Sequence, residues 1–261
     1  MIKYNMKTVI LAGGLGTRMR EETEYKPKPM VEIGGFPIIW HIMKSYSMFS
    51  HRDFVVCTGY KGEMIKEYFR EFETLNSDFT INLEAGKSIK IHNSESEINW
   101  SVTLADTGSL TTTGGRILKV RKYLDNQTFM CTYGDGLSDI NITELINFHR
   151  SHGKVATLTC IRPVSRFGKI KVDSTGVVKQ FQEKPQTTEW VNGGFFVFEP
   201  QIFNYLSEDK SLEEDTVIKL INDSQLMAFK HDGFWQPMDT YRDVLELNKV
   251  WDSGLAPWKT W

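Results

Sequence analysis

Thr8-Val-Ile-Leu-Ala-Gly-Gly-Leu-Gly-Thr-Arg18, followed by Lys26-Pro-Lys-Pro-Met30, decides how the rest of the chain is read. Val9 to Ala12 are consecutive apolar residues, the pattern of a short buried strand, and Gly13, Gly14 and Gly16 then end it in a loop without side-chain bulk. Glycine there lets backbone N–H groups approach a ligand closely, which is how glycine-rich turns hold phosphate oxygens. Arg18, Lys26 and Lys28 add cations beside the turn, and Pro27 and Pro29 stiffen the backbone around Lys28 and so fix where its ammonium points. The combination suits a polyphosphate.

Two familiar phosphate loops are excluded. The Walker A pattern needs a Lys-Ser/Thr pair that nothing after Gly13 or Gly14 supplies, and in the dinucleotide fingerprint Met19 stands where the third glycine belongs.

Working outward, Pro37 to Phe49 has apolar residues at helical spacing with Pro37 in the first turn, Asp53 to Thr58 reads as a second buried strand, and Glu63 to Phe72 as a helix. This strand–helix alternation predicts an α/β fold of Rossmann-like type, a mixed and mostly parallel central sheet with helices on both faces, whose ligands sit beyond the carboxyl ends of the strands. Residues 76–100 interrupt the rhythm with two short alternating strands, an edge hairpin or insertion. Val102 to Ala105 resumes the sheet, Arg116 to Tyr123 is a basic helix, and Phe129 to Tyr133 is the next central strand. Asn141 to His152 reads as a helix and Val155 to Ile161 as a strand. A β-hairpin over 167–181, a strand over Val191 to Phe198, a helix over Leu212 to Ile221, a loop over Trp235 to Asp239 and an amphipathic helix over Tyr241 to Trp251 complete the pattern. With no repeat, low-complexity run or obvious linker, residues 1–261 are expected to form a single compact domain, with a nucleotide half over about 6–140 and a sugar-binding, C-terminal half over 141–261.

At 261 residues the chain can bury roughly 70–75% of its unfolded surface. Its 40% hydrophobic and 25% charged residues place it in the ordinary globular class. A net charge of −2 gives no general attraction to nucleic acid or to an anionic membrane. No segment approaches the roughly 18 consecutive apolar residues of a membrane span. Cys57, Cys131 and Cys160 sit in apolar runs without C-x-x-C spacing, as buried thiols in a reducing compartment do. The expectation is a cytoplasmic protein, with residues 1–5 a dispensable overhang.

These segments together resemble the sugar-1-phosphate nucleotidyltransferase family, from about Met6 to Trp261. The glycine stretch with Lys-Pro-Lys-Pro-Met matches its signature. Thr132-Tyr-Gly-Asp-Gly136, Phe181-Gln-Glu-Lys-Pro185, Asn192-Gly-Gly-Phe-Phe196 and Gly233-Phe-Trp-Gln-Pro-Met-Asp-Thr240 narrow it to the cytidylyltransferase branch. The resemblance implies a nucleotide-diphospho-sugar transferase fold, CTP and α-D-glucose 1-phosphate as substrates, CDP-glucose and pyrophosphate as products, and Mg²⁺ as cofactor. It also implies a homo-oligomer whose product feeds dideoxysugars of lipopolysaccharide O-antigen, with neither nucleic acid nor membrane as partner. UTP, dTTP or another hexose 1-phosphate would use the same chemistry, and a non-catalytic nucleotide-sugar-binding relative would keep only the fold.

Nucleotidyl transfer brings two anions together, so the protein's task is positioning and charge neutralisation. By the resemblance, Leu11, Ala12, Gly13, Gly14, Leu15, Gly16 and Thr17 bind the nucleotide, and Arg18 and Lys28 meet the triphosphate and the charge developing at the α-phosphorus. Thr111, Arg116 and Gly134 are further substrate contacts. Asp135, between Gly134 and Gly136, and Asp239, in Gln236-Pro-Met-Asp-Thr240, match the family's metal-binding aspartates, and Mg²⁺ generally takes one or two protein carboxylates. Lys184 meets the sugar phosphate, with Glu183, Asn192 and Gly193 offered to the sugar hydroxyls. Taken singly, an aspartate between glycines or a Lys-Pro pair is an ordinary turn. His149 and His152 lack a third zinc ligand nearby, Trp235 is either a pocket wall or a packed aromatic, and the aromatic tail Ala256-Pro-Trp-Lys-Thr-Trp261 invites an interface.

Overall fold

The computed structural model describes residues 5–19, 23–83, 88–92, 98–165 and 167–261. Residues 1–4 of the expected overhang, Arg166 and the side chain of Arg18 lie outside the described residues.

In chain order, β1 (Thr8–Leu11) is followed by the short pair β2 (Glu32–Ile33) and β3 (Phe36–Pro37), the helix Ile38–Met48, β4 (Asp53–Thr58) and the helices Gly62–Arg70 and Phe72–Asn76. The hairpin β5 (Asp78–Asn82) and β6 (Ser88–His92) precedes β7 (Ser101–Asp106), the helix Thr113–Lys119, β8 (Phe129–Tyr133), β9 (Gly136–Ser138) and the helix Ile142–His152. Then come β10 (Ala156–Ile161), the hairpin β11 (Lys169–Val172) and β12 (Val178–Gln182), β13 (Val191–Asn192), β14 (Phe196–Phe198), the helix Val217–Asn222, β15 (Leu226–His231), β16 (Trp235–Pro237) and the helix Tyr241–Asp252.

One large sheet organises these elements. β7, β4, β1 and β8 are parallel neighbours, β14 runs antiparallel between β8 and β10, and β15 adds parallel to β10. This is the mixed, mostly parallel sheet that the alternation predicts. Successive residues point to opposite faces, so Val9, Leu11, Val55 and Cys57 enter one core while Ile10 and Val56 enter the other. Helices cover both faces, which is why the central strands are unbroken apolar runs. The expected insertion is a hairpin, β5 with β6, in a sheet of its own, and so is β11 with β12. The three cysteines are buried and free, and burial pushes the Cys57 thiol up to about 12. Among the described residues no helix is long and apolar enough to cross a membrane.

Several boundaries differ from the sequence reading. Pro37 precedes the first turn of its helix. The helix expected from Arg116 starts at Thr113, because the Thr112 side chain caps it by accepting from Gly115 N, and it ends at Lys119. The segment expected as one helix from Leu212 begins as a π-helical turn, Leu212–Thr216. The strand expected over 191–198 is two, β13 and β14, because Gly194 at φ 78° and Phe195 at φ 48° turn the chain between them. Trp235 to Pro237, expected as loop, is a strand paired antiparallel with β9.

The aromatic tail finds its interface within the chain. Trp258 is fully buried, stacks on Phe234 and Trp251, and donates from Nε1 to His41 Nδ1 at 3.3 Å, while Trp261 packs edge-on against Trp40. His41 in turn meets the Ile33 carbonyl through Nε2 at 2.8 Å. Burial lowers the pKa of His41 to about 4, and that of His51, whose Nδ1 accepts from Met6 N, to about 4. Between pH 6.5 and about 4 the unfolded chain binds protons that the folded chain refuses, so stability falls as pH drops through that window and is fully retained above it. Urea unfolding at pH 7.5 and pH ~4.5 is expected to differ by up to about 3 kcal/mol per histidine, and His51→Asn, which keeps an acceptor for Met6 N, to flatten part of the difference.

Candidate active site

The carboxyl ends of β1 and β8 open on a cavity of about 480 Å³. Leu11 pairs with Tyr133 across the two parallel strands, so the chain leaves both at the same level. The glycine turn, Leu11 to Thr17, emerges beside Tyr133, Gly134 and Asp135, and all of them line the cavity with Lys28, Pro29, Arg116 and residues 109–113. The Gly13 carbonyl accepts from Tyr60 N at 3.2 Å and from Arg116 Nη2 at 2.8 Å. Since N–H and C=O of one planar peptide point in opposite directions, tying back this carbonyl turns the Gly14 N–H the other way.

Lys28 lies in a 3₁₀ turn between two prolines and keeps only 10% of its side chain exposed. Its ammonium donates to Asp135 Oδ2 at 2.6 Å and to Asp239 Oδ1 at 2.7 Å. The two aspartates are brought together by the β9–β16 ladder, in which Gly136 faces Pro237 and Met238 N donates to the Asp135 carbonyl at 2.8 Å. Asp239 is fixed from its other side, where its N–H and that of Thr240 both donate to Asp243 Oδ2, the carboxylate of the capping box that starts the last helix. Two hard oxygen donors thus converge on one cation position, which fits Mg²⁺. Among the described residues no group of three or more His, Cys, Asp or Glu side chains is placed to hold a metal ion.

Arg116, expected as a nucleotide contact, lines the cavity with its guanidinium turned onto the protein's own groups. It is 3% exposed, and Nη1 donates to the Thr58 carbonyl, Thr107 Oγ1 and the Gly108 carbonyl, while Nη2 donates to the carbonyls of Gly13 and Ser109. The terminal N–H groups are therefore committed to the backbone of the two loops that wall the cavity. Burial pushes the guanidinium pKa down, with Cys57 and Asp106 pushing it back up. A Cβ on residue 13 would fall 2.0 Å from Arg116 Nη1, so only glycine admits this brace. The Thr111 hydroxyl, on the cavity wall, is likewise tied to the Thr107 carbonyl and accepts from Lys119 Nζ at 3.1 Å.

Residues 7–253 match the family described as Nucleotidyl transferase. The chain belongs to this family. It is 50% identical over 98% of its length to the glucose-1-phosphate cytidylyltransferase of Salmonella typhi, all of which is covered. Its fold is similar to that of HddC from Yersinia pseudotuberculosis, at 21% identity and a TM-score of 0.66 over 94% of this chain and 99% of that one. It is similar also to a UDP-glucose pyrophosphorylase solved with UDP-glucose, at 16% identity and a TM-score of 0.68 over 95% and 99%.

Not every family position converges on the cavity. Glu183 and Lys184 are exposed beyond the end of β12 and outside the cavity lining, because β11 and β12 pair only with each other and stand away from the main sheet. Asn192 is exposed, and its Nδ2 donates to the Tyr133 hydroxyl at 3.1 Å. Gly193 is buried, with its N–H donated to the Thr159 carbonyl and its carbonyl accepting from Trp235 Nε1. Trp235 is half-buried and packs against the core. His149 and His152 share Thr157 Oγ1, and His149 also meets Glu199. Tyr133, on the cavity wall, was not singled out as a site residue from the sequence, because it lies inside a motif whose charged neighbour Asp135 drew the reading.

Arg116→Lys is expected to lower stability by about 2–4 kcal/mol, since an ammonium cannot reach acceptors spread over both loops and leaves buried carbonyls unpaired. Urea unfolding measures the loss, and amide exchange should rise in the Gly13–Gly16 turn ahead of the sheet.

Proposed function

We propose that the chain transfers the cytidylyl group of CTP to α-D-glucose 1-phosphate, forming CDP-glucose and releasing pyrophosphate. The observation that carries this reading is the Lys28 ammonium held between the carboxylates of Asp135 and Asp239 beside a glycine turn, in a chain half of whose residues are identical to a glucose-1-phosphate cytidylyltransferase. A phosphate oxygen of the sugar attacks the α-phosphorus, a new P–O bond forms as the bond to the β-phosphate oxygen breaks, and pyrophosphate leaves with the electron pair. No covalent intermediate with the protein is required.

In this reading the amides of Gly13 to Thr17 cradle the triphosphate, and Lys28 and Arg18 offset the charge that builds at the α-phosphorus. Asp135 and Asp239 would hold Mg²⁺, which when bound neutralises phosphate charge and orients the leaving group. Arg116 acts through the loops it braces, and Thr111 belongs to the nucleotide wall. Asn192 belongs to the acceptor side, supported by its bond to Tyr133, while Glu183, Lys184 and Gly193 rest on the family likeness alone. The main sheet runs through both halves, 6–140 and 141–261, by way of the β8–β14 pairing, which supports treating them as one unit. Homo-oligomerisation and a product used for dideoxysugars of bacterial surface polysaccharide also rest on that likeness, while a cytoplasmic location rests on the buried thiols of Cys57, Cys131 and Cys160.

Pyrophosphate release from glucose 1-phosphate with CTP, UTP, dTTP, ATP and GTP tests the reading. CTP should dominate, and no turnover with any of the five would overturn it. With CTP and saturating Mg²⁺, Asp135→Asn or Asp239→Asn should lower kcat at least about 100-fold while the circular dichroism melt stays cooperative. A near-normal rate in either variant removes that residue from the metal role.

A further inference from the structure

A carboxylate outside the Lys28 cluster joins the two sides of the cavity. Glu213 lies in the π-helical turn Leu212–Thr216, a local geometry frequent at functional sites. Its Oε2 accepts from Thr113 Oγ1 at 2.8 Å and its Oε1 accepts from the Tyr133 hydroxyl, and both partners line the cavity. On the nucleotide side, Thr113 Oγ1 also accepts from Leu212 N at 2.8 Å, and Thr112 Oγ1 donates to the Lys210 carbonyl at 2.6 Å. Contact there is so close that a Cβ on Gly115 would fall 2.3 Å from the Glu208 carbonyl oxygen. On the opposite side, the Tyr133 hydroxyl accepts from Asn192 Nδ2, and Asn192 Oδ1 accepts from Gly194 N at 2.9 Å. The Tyr133 ring also packs on the turn at Gly194, where a Cβ would fall 2.9 Å from it. Burial, and then Glu213 itself, hold the Tyr133 phenol above its ordinary range, so it keeps the proton that it donates.

We propose that Glu213 is a positioning residue that couples the nucleotide side of the cavity, through Thr113, to the acceptor-sugar side, through Tyr133 and Asn192. This rests on the two-substrate reading above. A single carboxylate with both oxygens engaged fixes the distance between the loop that holds one substrate and the turn that meets the other, and in-line attack depends on that distance.

Steady-state kinetics with a melting temperature for every variant test it. Glu213→Ala is expected to raise KM for CTP and for glucose 1-phosphate together, each about ten-fold, and to lower kcat as well. Glu213→Gln, which still accepts from Tyr133, should recover most of the sugar-phosphate KM. Tyr133→Phe should raise that KM alone, and adding it to Glu213→Ala should raise it no further, as groups acting as one unit are non-additive. A lower melting temperature with both KM values within about two-fold of wild type would mean packing only and overturns the proposal. So does an effect of Glu213→Ala confined to one substrate. Should Glu213→Ala not fold, Thr113→Val and Tyr133→Phe decide: coupled effects in the double variant support the link, and additive ones overturn it. Wild type inactive with CTP and glucose 1-phosphate would defeat the proposed activity instead. The coupling is then read by calorimetry with CTP and with glucose 1-phosphate: Glu213→Ala weakening both supports it, and unchanged affinity for either overturns it.

Discussion

Two carboxylates do not settle beside each other without a cation, and the arrangement of Asp135, Lys28 and Asp239 turns on that repulsion. The backbone brings the aspartates together through the short ladder of β9 and β16, where Met238 N also holds the Asp135 carbonyl. Lys28 enters from the far side of the glycine turn on a proline-stiffened 3₁₀ turn and lies within 2.7 Å of both. Removing one member of such a partly buried set leaves charge uncompensated, which is far costlier than losing an exposed ion pair. The same three groups suit phosphate chemistry because a site that holds opposite charges close together in a poorly solvated place interacts strongly with any charge that moves there.

The cations near the cavity divide by what surrounds them. Arg116 is buried under the turn with its terminal N–H groups on four carbonyl oxygens and the Thr107 hydroxyl, so its charge is used to shape the loops. Among the described residues the Lys28 ammonium is held by two carboxylates, which a cation of another kind could also satisfy. Rigid loops matter here because the reaction places two phosphate esters in line, and a displacement of about 1 Å is enough to cost rate. Glu213 reaches Thr113 and Tyr133 at once, one oxygen to each.

Much of this was legible in the residue order. Apolar runs at Val9–Ala12, Asp53–Thr58 and Phe129–Tyr133 announce central strands because both sheet faces are covered, and the helix Ile142–His152 is announced by its period. The strand Trp235–Pro237 was not legible: three residues ending in proline carry no strand pattern, and their pairing is made by β9, distant in sequence. The break between β13 and β14 was hidden for the opposite reason, since Phe195 opens the apolar run Phe195–Phe198 and so reads as strand although its φ is 48°. The aromatic tail looked like a surface for a partner because hydrophobicity says that a residue will be covered and not by what. Its partners are His41, Phe234 and Trp251.

By itself the amino-acid order determined the class of sheet, the glycine turn at a strand's carboxyl end, and the kinds of group that phosphate transfer needs, since these depend on local period, backbone freedom and charge. Only the tertiary structure decided which charges meet. It joined Asp135 to Asp239 across Lys28, sent Arg116 inward as a brace, left Glu183 and Lys184 exposed beyond their hairpin, and set Glu213 between Thr113 and Tyr133. Contacts between groups tens to hundreds of residues apart are set by strand order and ladder register, which no short stretch of sequence encodes.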